Sequence, residues 1–160
     1  MKQVSTLFLK IAVIFIGIPI LALCIFLVPQ LGKVAAELLP DFPAIRYMVY
    51  MIFWGSAIPF YFALYQAFNL LRFIDSNKAF SQISVEALKK IKYCAIIISS
   101  LHILALPLFY LFAEMDDAPG VIFVGLLVPF ASMVIAVFAA VLQKLLQEAI
   151  DIKSENDLTV

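Results

Sequence analysis

Residues 72–92 read RFIDSNKAFSQISVEALKKIK and form the one long polar island in an otherwise oily chain. Arg72, Lys78, Lys89, Lys90 and Lys92 stand there against only Asp75 and Glu86. Of 160 residues, 65% are hydrophobic and 14% charged, and the mean hydropathy of +1.08 lies well outside the soluble range. Such a composition describes an integral membrane protein, and the island is where the chain emerges between two spans. The 11 basic and 11 acidic residues cancel. No overall field attracts nucleic acid, so direct nucleic-acid binding is not expected; the lipid bilayer is the first partner, and charge acts by position.

Upstream, Lys2 and Lys10 precede an apolar run over residues 11–28, long enough to cross a bilayer. The run is too long for the apolar core of a signal peptide, and Val34-Ala35-Ala36 is a weak cleavage site well beyond it, so removal is not expected. The bulky Leu23 argues against lipidation of Cys24. Pro29, Pro40 and Pro43 restrict any helix in residues 29–46 to a turn or two, so this stretch is expected to be a short structured loop. A second span over 47–71 is entered through Tyr47, Tyr50 and Trp54, whose amphipathic rings suit the headgroup boundary.

Downstream, residues 93–113 make a third span and 121–142 a fourth, joined by the acidic turn Glu114-Met115-Asp116-Asp117-Ala118-Pro119-Gly120. The reading is one all-α transmembrane domain over 1–160, a four-helix bundle with proline-kinked spans, a basic segment at 72–92 and a polar tail at 143–160. Lys2, Lys10, the five basic residues of the island, Lys144 and Lys153 share one side. The other side keeps only Lys33 and Arg46, so the positive-inside rule places both termini and the island in the cytoplasm.

Pro19, Pro59, Pro107 and Pro129 sit near the middle of the four spans. Membrane helices tolerate proline when neighbours re-satisfy the freed carbonyl, so mild kinks are expected; kinks aligned at one depth would instead open a cavity. Gly125, Ser132, Ala136 and Ala140 give the fourth span a small-residue face for close packing, central to the bundle or at a dimer contact. Intramembrane polar residues are the default functional candidates, and here they are His102, with Ser99 and Ser100 nearby, Gln66 and Asn69. A packed, hydrogen-bonded His102 is favoured over a proton relay, because no span carries a carboxylate, Lys or Arg near its middle.

Enzymatic chemistry has little to stand on. One histidine and two distant cysteines, Cys24 and Cys94, build neither a closed zinc site nor a disulfide framework. Phosphate loops and nucleophile elbows are absent from the sequence. Glu114, Asp116 and Asp117 read as an acidic outer hairpin rather than a cation site. No catalytic residue, metal or cofactor is expected.

The island itself should turn at Asn77, which tolerates left-handed geometry, and start a helix capped by Ser81 or Ser84. A helix over 84–113 would be about 45 Å long, leaving about 15 Å outside the hydrocarbon core. The fourth helix also overruns, since Leu142, Leu145, Leu146 and Ala149 keep an apolar stripe beside polar Lys144, Gln147, Glu148 and Asp151. Antiparallel neighbours by their tight turn, the two stubs should form a platform with Lys89 or Lys92 facing Glu148 or Asp151. Phe80, Leu88, Lys89, Lys92, Glu148 and Asp151 are then the candidate partner surface. The competing reading is that these lysines only anchor the chain against anionic lipid.

Lys78-Ala79-Phe80-Ser81, then Val85-Glu86-Ala87-Leu88-Lys89-Lys90-Ile91, and the terminal Glu155-Asn156-Asp157-Leu158-Thr159-Val160 resemble the YoaS-like family of small bacterial four-span membrane proteins, a domain-of-unknown-function family. Asn77 and Lys78 stand where members often carry Gly before Phe-Ser. The resemblance implies a bacterial plasma-membrane protein, commonly encoded beside a small helix-turn-helix regulator, with no catalytic residues to carry over. The leading expectation is a non-enzymatic regulator or sensor acting on a cytoplasmic partner such as a helix-turn-helix transcription factor. The alternatives are a small homo-oligomeric transporter or export accessory, and an envelope-stress or bacteriocin-immunity protein.

Overall fold

The computed structural model describes residues 2–159, and they fold into four long helices: α1 (Lys2–Leu38), α2 (Ile45–Asp75), α3 (Gln82–Met115) and α4 (Gly120–Leu158). Each is long and apolar enough to cross a membrane. Hydrocarbon offers the backbone no hydrogen bonds, so a helix that satisfies its own amides is the only open-chain form these runs can take there. The lengths exceed the need. At about 1.5 Å per residue, α4 approaches 58 Å against a core of about 30 Å.

Both sharp turns use one residue with positive φ. Asn77, at φ 57°, follows the end of α2, where Lys78 N donates to Phe73 O (2.8 Å) and Asn77 N to Ile74 O (3.2 Å). This is the Schellman pattern, which satisfies the last carbonyls of the helix. Asp117, at φ 49°, does the same after α3, with Ala118 N on Ala113 O at 3.0 Å. Asn77 therefore turns as its chemistry suggests. Ser81 occupies the N-cap of α3 in extended backbone but makes no side-chain cap. Its hydroxyl turns back instead to Lys78 O (2.6 Å), as does that of buried Ser84 (3.1 Å); both staple the turn rather than cap the helix.

The expected loop at 29–46 is where the structure differs. α1 runs through Pro29 to Leu38 without a break, and only residues 39–44 connect it to α2. Proline in a helix costs about 3 kcal/mol, and packing offsets it. Val28 and Ala35 are buried, and Ala35, Ile45 and Val49 form a core with Leu31, Leu39, Tyr50, Phe53, Leu108 and Phe112 around it. This cluster ties α1, α2 and α3 together at the end opposite the termini.

The helices pack in series, α1 on α2, α2 on α3 and α3 on α4. Among the described residues no broad contact joins α4 back to α1, so the bundle is open and both outer helices have a free edge.

Candidate functional site

His102 lies on α3 only 5% exposed. Its Nδ1 is 3.0 Å from Ile98 O; a carbonyl only accepts, so Nδ1 carries the proton. The ring meets the edge of Phe53 from α2 at 5.5 Å and 86°. One turn earlier, the Ser99 hydroxyl donates to Pro129 O across the α3–α4 interface at 3.0 Å. Gln66 is buried on α2, and Asn69 is half-buried one turn further on. Because Phe53 marks the level of His102, the 13 residues from there to Gln66 place the two polar groups about 20 Å apart along the helix. They do not share a site.

The small-residue face of α4 packs on α3. Gly125, Ser132 and Ala136 are buried, joined by Pro129 and Ala139 at the same helical spacing, while Ala140 is half-buried. A Cβ on Gly125 would sit 2.7 Å from Phe109 Cγ, so this backbone approach requires glycine. α4 is thus an edge helix whose small face is already occupied.

The α1–α2 pair carries a feature that the sequence reading missed. Asp75, Phe68, Tyr61 and Trp54 recur every seven residues on α2, opposite Lys10, Gly17 and Cys24, which recur every seven on α1. Asp75 accepts from both Lys10 and Thr6, and Lys10 Nζ lies 5.9 Å from the Phe68 ring centre. Tyr61 donates to Gly17 O at 2.7 Å and Trp54 to Cys24 O at 3.1 Å. The seven-residue recurrence on both helices is the signal for an antiparallel helix pair with a 3.5 period. Asp75 lies past the apolar span, and the side chains of Lys10 and Thr6 hold its carboxyl below the usual carboxylate range. Between the Tyr61 and Trp54 rungs lies an apolar groove of about 610 Å3 lined by Leu21, Cys24, Ile25, Ala57 and Ile58. None of the mid-span prolines lines it.

At the end bearing the termini, the α3 and α4 stubs lie side by side as expected, and Lys92 Nζ donates to Gln143 Oε1 at 3.0 Å. That bond corrects the pairing read from sequence: Lys92 meets Gln143, not Glu148 or Asp151, while Asp151 accepts from Gln147 on its own helix at 2.9 Å. Among the described residues the one ion pair is Lys10–Asp75. Ser84, Val85 and Ala87 of α3 are buried, and Leu88 and Lys92 are half-buried. Phe80, Lys89, Lys90, Glu148 and Asp151 remain exposed. Phe80 is 66% and Ile83 55% exposed.

Four apolar helices long enough to span a bilayer, with a polar end holding both termini, define an all-helical membrane protein. The chain belongs to the family described as "Protein of unknown function (DUF2975)", whose model matches residues 30–160. It is 66% identical over 160 residues, the whole of both chains, to the "Uncharacterized membrane protein YoaS" of Bacillus subtilis (strain 168). The YoaS-like resemblance read from the short motifs therefore extends along the full length. No solved structure matches it.

Proposed function

We propose that the protein is a non-enzymatic membrane regulator or sensor that acts on a cytoplasmic partner, such as a helix-turn-helix transcription factor, through the end carrying Phe80. The observation that supports this is the position of two exposed apolar side chains. Lys89 and Lys90 are exposed on α3, and lysines at such a boundary reach into the headgroups. Ile83 lies seven residues, about 10 Å, beyond Lys90. Phe80 lies in the turn just before the helix starts at Gln82. Lipid tails do not reach there, so anchoring alone leaves these residues without a purpose, whereas a protein partner covers them.

The surface offered to that partner is Phe80 with Lys89, Glu148 and Asp151, while Leu88 and Lys92 lie half-buried and frame it from below. The test is purification of the intact chain from its native cell. A small DNA-binding protein should co-purify, be lost on Lys89→Glu and be retained on the remote Glu114→Gln. Its retention on Lys89→Glu, or its absence with the unaltered chain, counts against the reading.

A further inference from the structure

We infer that a second copy of this chain docks at the same end, laying the acidic tail of its α4 against the basic, apolar start of α3, and the reverse. Two observations carry this. One is charge complementarity. Residues 78–90 present Lys78, Lys89 and Lys90 against a single Glu86, while residues 144–158 present Glu148, Asp151, Glu155 and Asp157 against Lys144 and Lys153, and all of these side chains are exposed. No ion pair joins the two patches within one chain: the one ion pair among the described residues is elsewhere, at Lys10–Asp75.

The other is register. Lys92 meets Gln143 and Phe109 meets Gly125, so each α3 residue stands at the height of an α4 residue whose number makes a nearly constant sum with its own. Two copies inserted the same way and related by an axis along the membrane normal keep those heights. Ile83 then stands level with the second copy's residue 152, itself an isoleucine, 60% exposed. Lys78, in the turn before α3 with its carbonyl on the Ser81 and Ser84 hydroxyls, stands beside this apolar centre. Above it, Lys89 and Lys90 stand within a turn of the carboxylate at 148. An apolar contact with opposite charges beside it is a self-complementary seam, set beyond the exposed Lys89 and Lys90. The small face of α4 contributes nothing to it, being filled by α3.

The seam needs no partner protein. It shares Lys89 and Glu148 with the partner surface proposed above, so a dimer is the covered state of the regulator and the two contacts exclude each other. That last clause rests on the partner reading; the seam does not.

The experiment uses the purified full chain in lipid nanodiscs, with Cys24 and Cys94 replaced by serine. Ile83→Cys and Ile152→Cys are placed on two differently tagged copies, which are mixed and oxidised. A disulfide joining the two tags is expected, together with a dimer fraction that falls several-fold on Lys89→Glu with Lys90→Glu and recovers when Glu148→Lys and Glu155→Lys are added. Monomers at every protein density, cross-linking that is equally efficient from the α1 edge at Ile14→Cys, or a charge-swapped chain that does not recover would each overturn the seam. Failure here with intact co-purification of a DNA-binding protein would remove the dimer and leave the partner reading standing.

Discussion

Lys10 and Asp75 are 65 residues apart in sequence and form an ion pair, with Thr6 as a second donor to the same carboxylate. The carboxyl is held below its usual range by these donors. Its contribution to folding is therefore full above the unfolded value of about 3.9 and is lost as pH falls through the lower folded value. Spin labels at Phe8→Cys and Ser76→Cys should keep one distance from neutral pH down to about 4 and spread below it, and Asp75→Asn should give the spread distribution at neutral pH. Asp75→Asn with an unchanged distance would show that the pair does not hold α1.

Gly125 offers a second test at this scale. A Cβ 2.7 Å from Phe109 overpacks the α3–α4 contact, and such insertions cost about 1–3 kcal/mol. Gly125→Ala should lower the Tm in detergent by several degrees. Gly55→Ala, with nothing within 4 Å of the added atom, should not lower it. Some single residues were legible without a structure: Asn77 turns because of its short amide, and His102 is buried and hydrogen-bonded in a helix free of mid-span charge. The Lys10–Asp75 pair was not, since nothing local to either residue names the other.

α1 and α2 show what an element adds. Proline at 29 is a strong local reason to end a helix, and the sequence reading ended it there; Ala35, Ile45 and Val49 packing together keep it going, a contact between elements that no local rule contains. The seven-residue recurrence of Trp54, Tyr61, Phe68 and Asp75 could have been found in sequence, as could that of Lys10, Gly17 and Cys24. It was hidden because aromatic residues near membrane boundaries already have an explanation. Interhelical hydrogen bonds within membranes average about 0.6 kcal/mol and reach about 1.7. Tyr61→Phe and Trp54→Phe should each destabilise by about that much in a reversible unfolding assay. Together they should loosen α1 from α2 while leaving the α3–α4 contact intact, which proteolysis at sites introduced into each turn would resolve. Loss of the whole fold would contradict a serial row of helices.

For the molecule as a whole, helix number, order and the basic end were readable because apolar length and charge position are one-dimensional properties. The open row and the actual neighbour of Lys92 were not, because they depend on register, and a shift of one residue turns a side chain by about a quarter of a helix turn. The partner surface and the seam both require that basic end to lie in water on the cytoplasmic side, with Phe80 and Ile83 outside the lipid. Substituted-cysteine labelling with a membrane-impermeant maleimide, in a chain lacking Cys24 and Cys94, tests it most directly. Phe80→Cys and Ile83→Cys should react in inverted vesicles and not in intact cells lacking a wall, with Asp117→Cys showing the reverse. Labelling of positions 80 and 83 from outside, or from neither side, would contradict it.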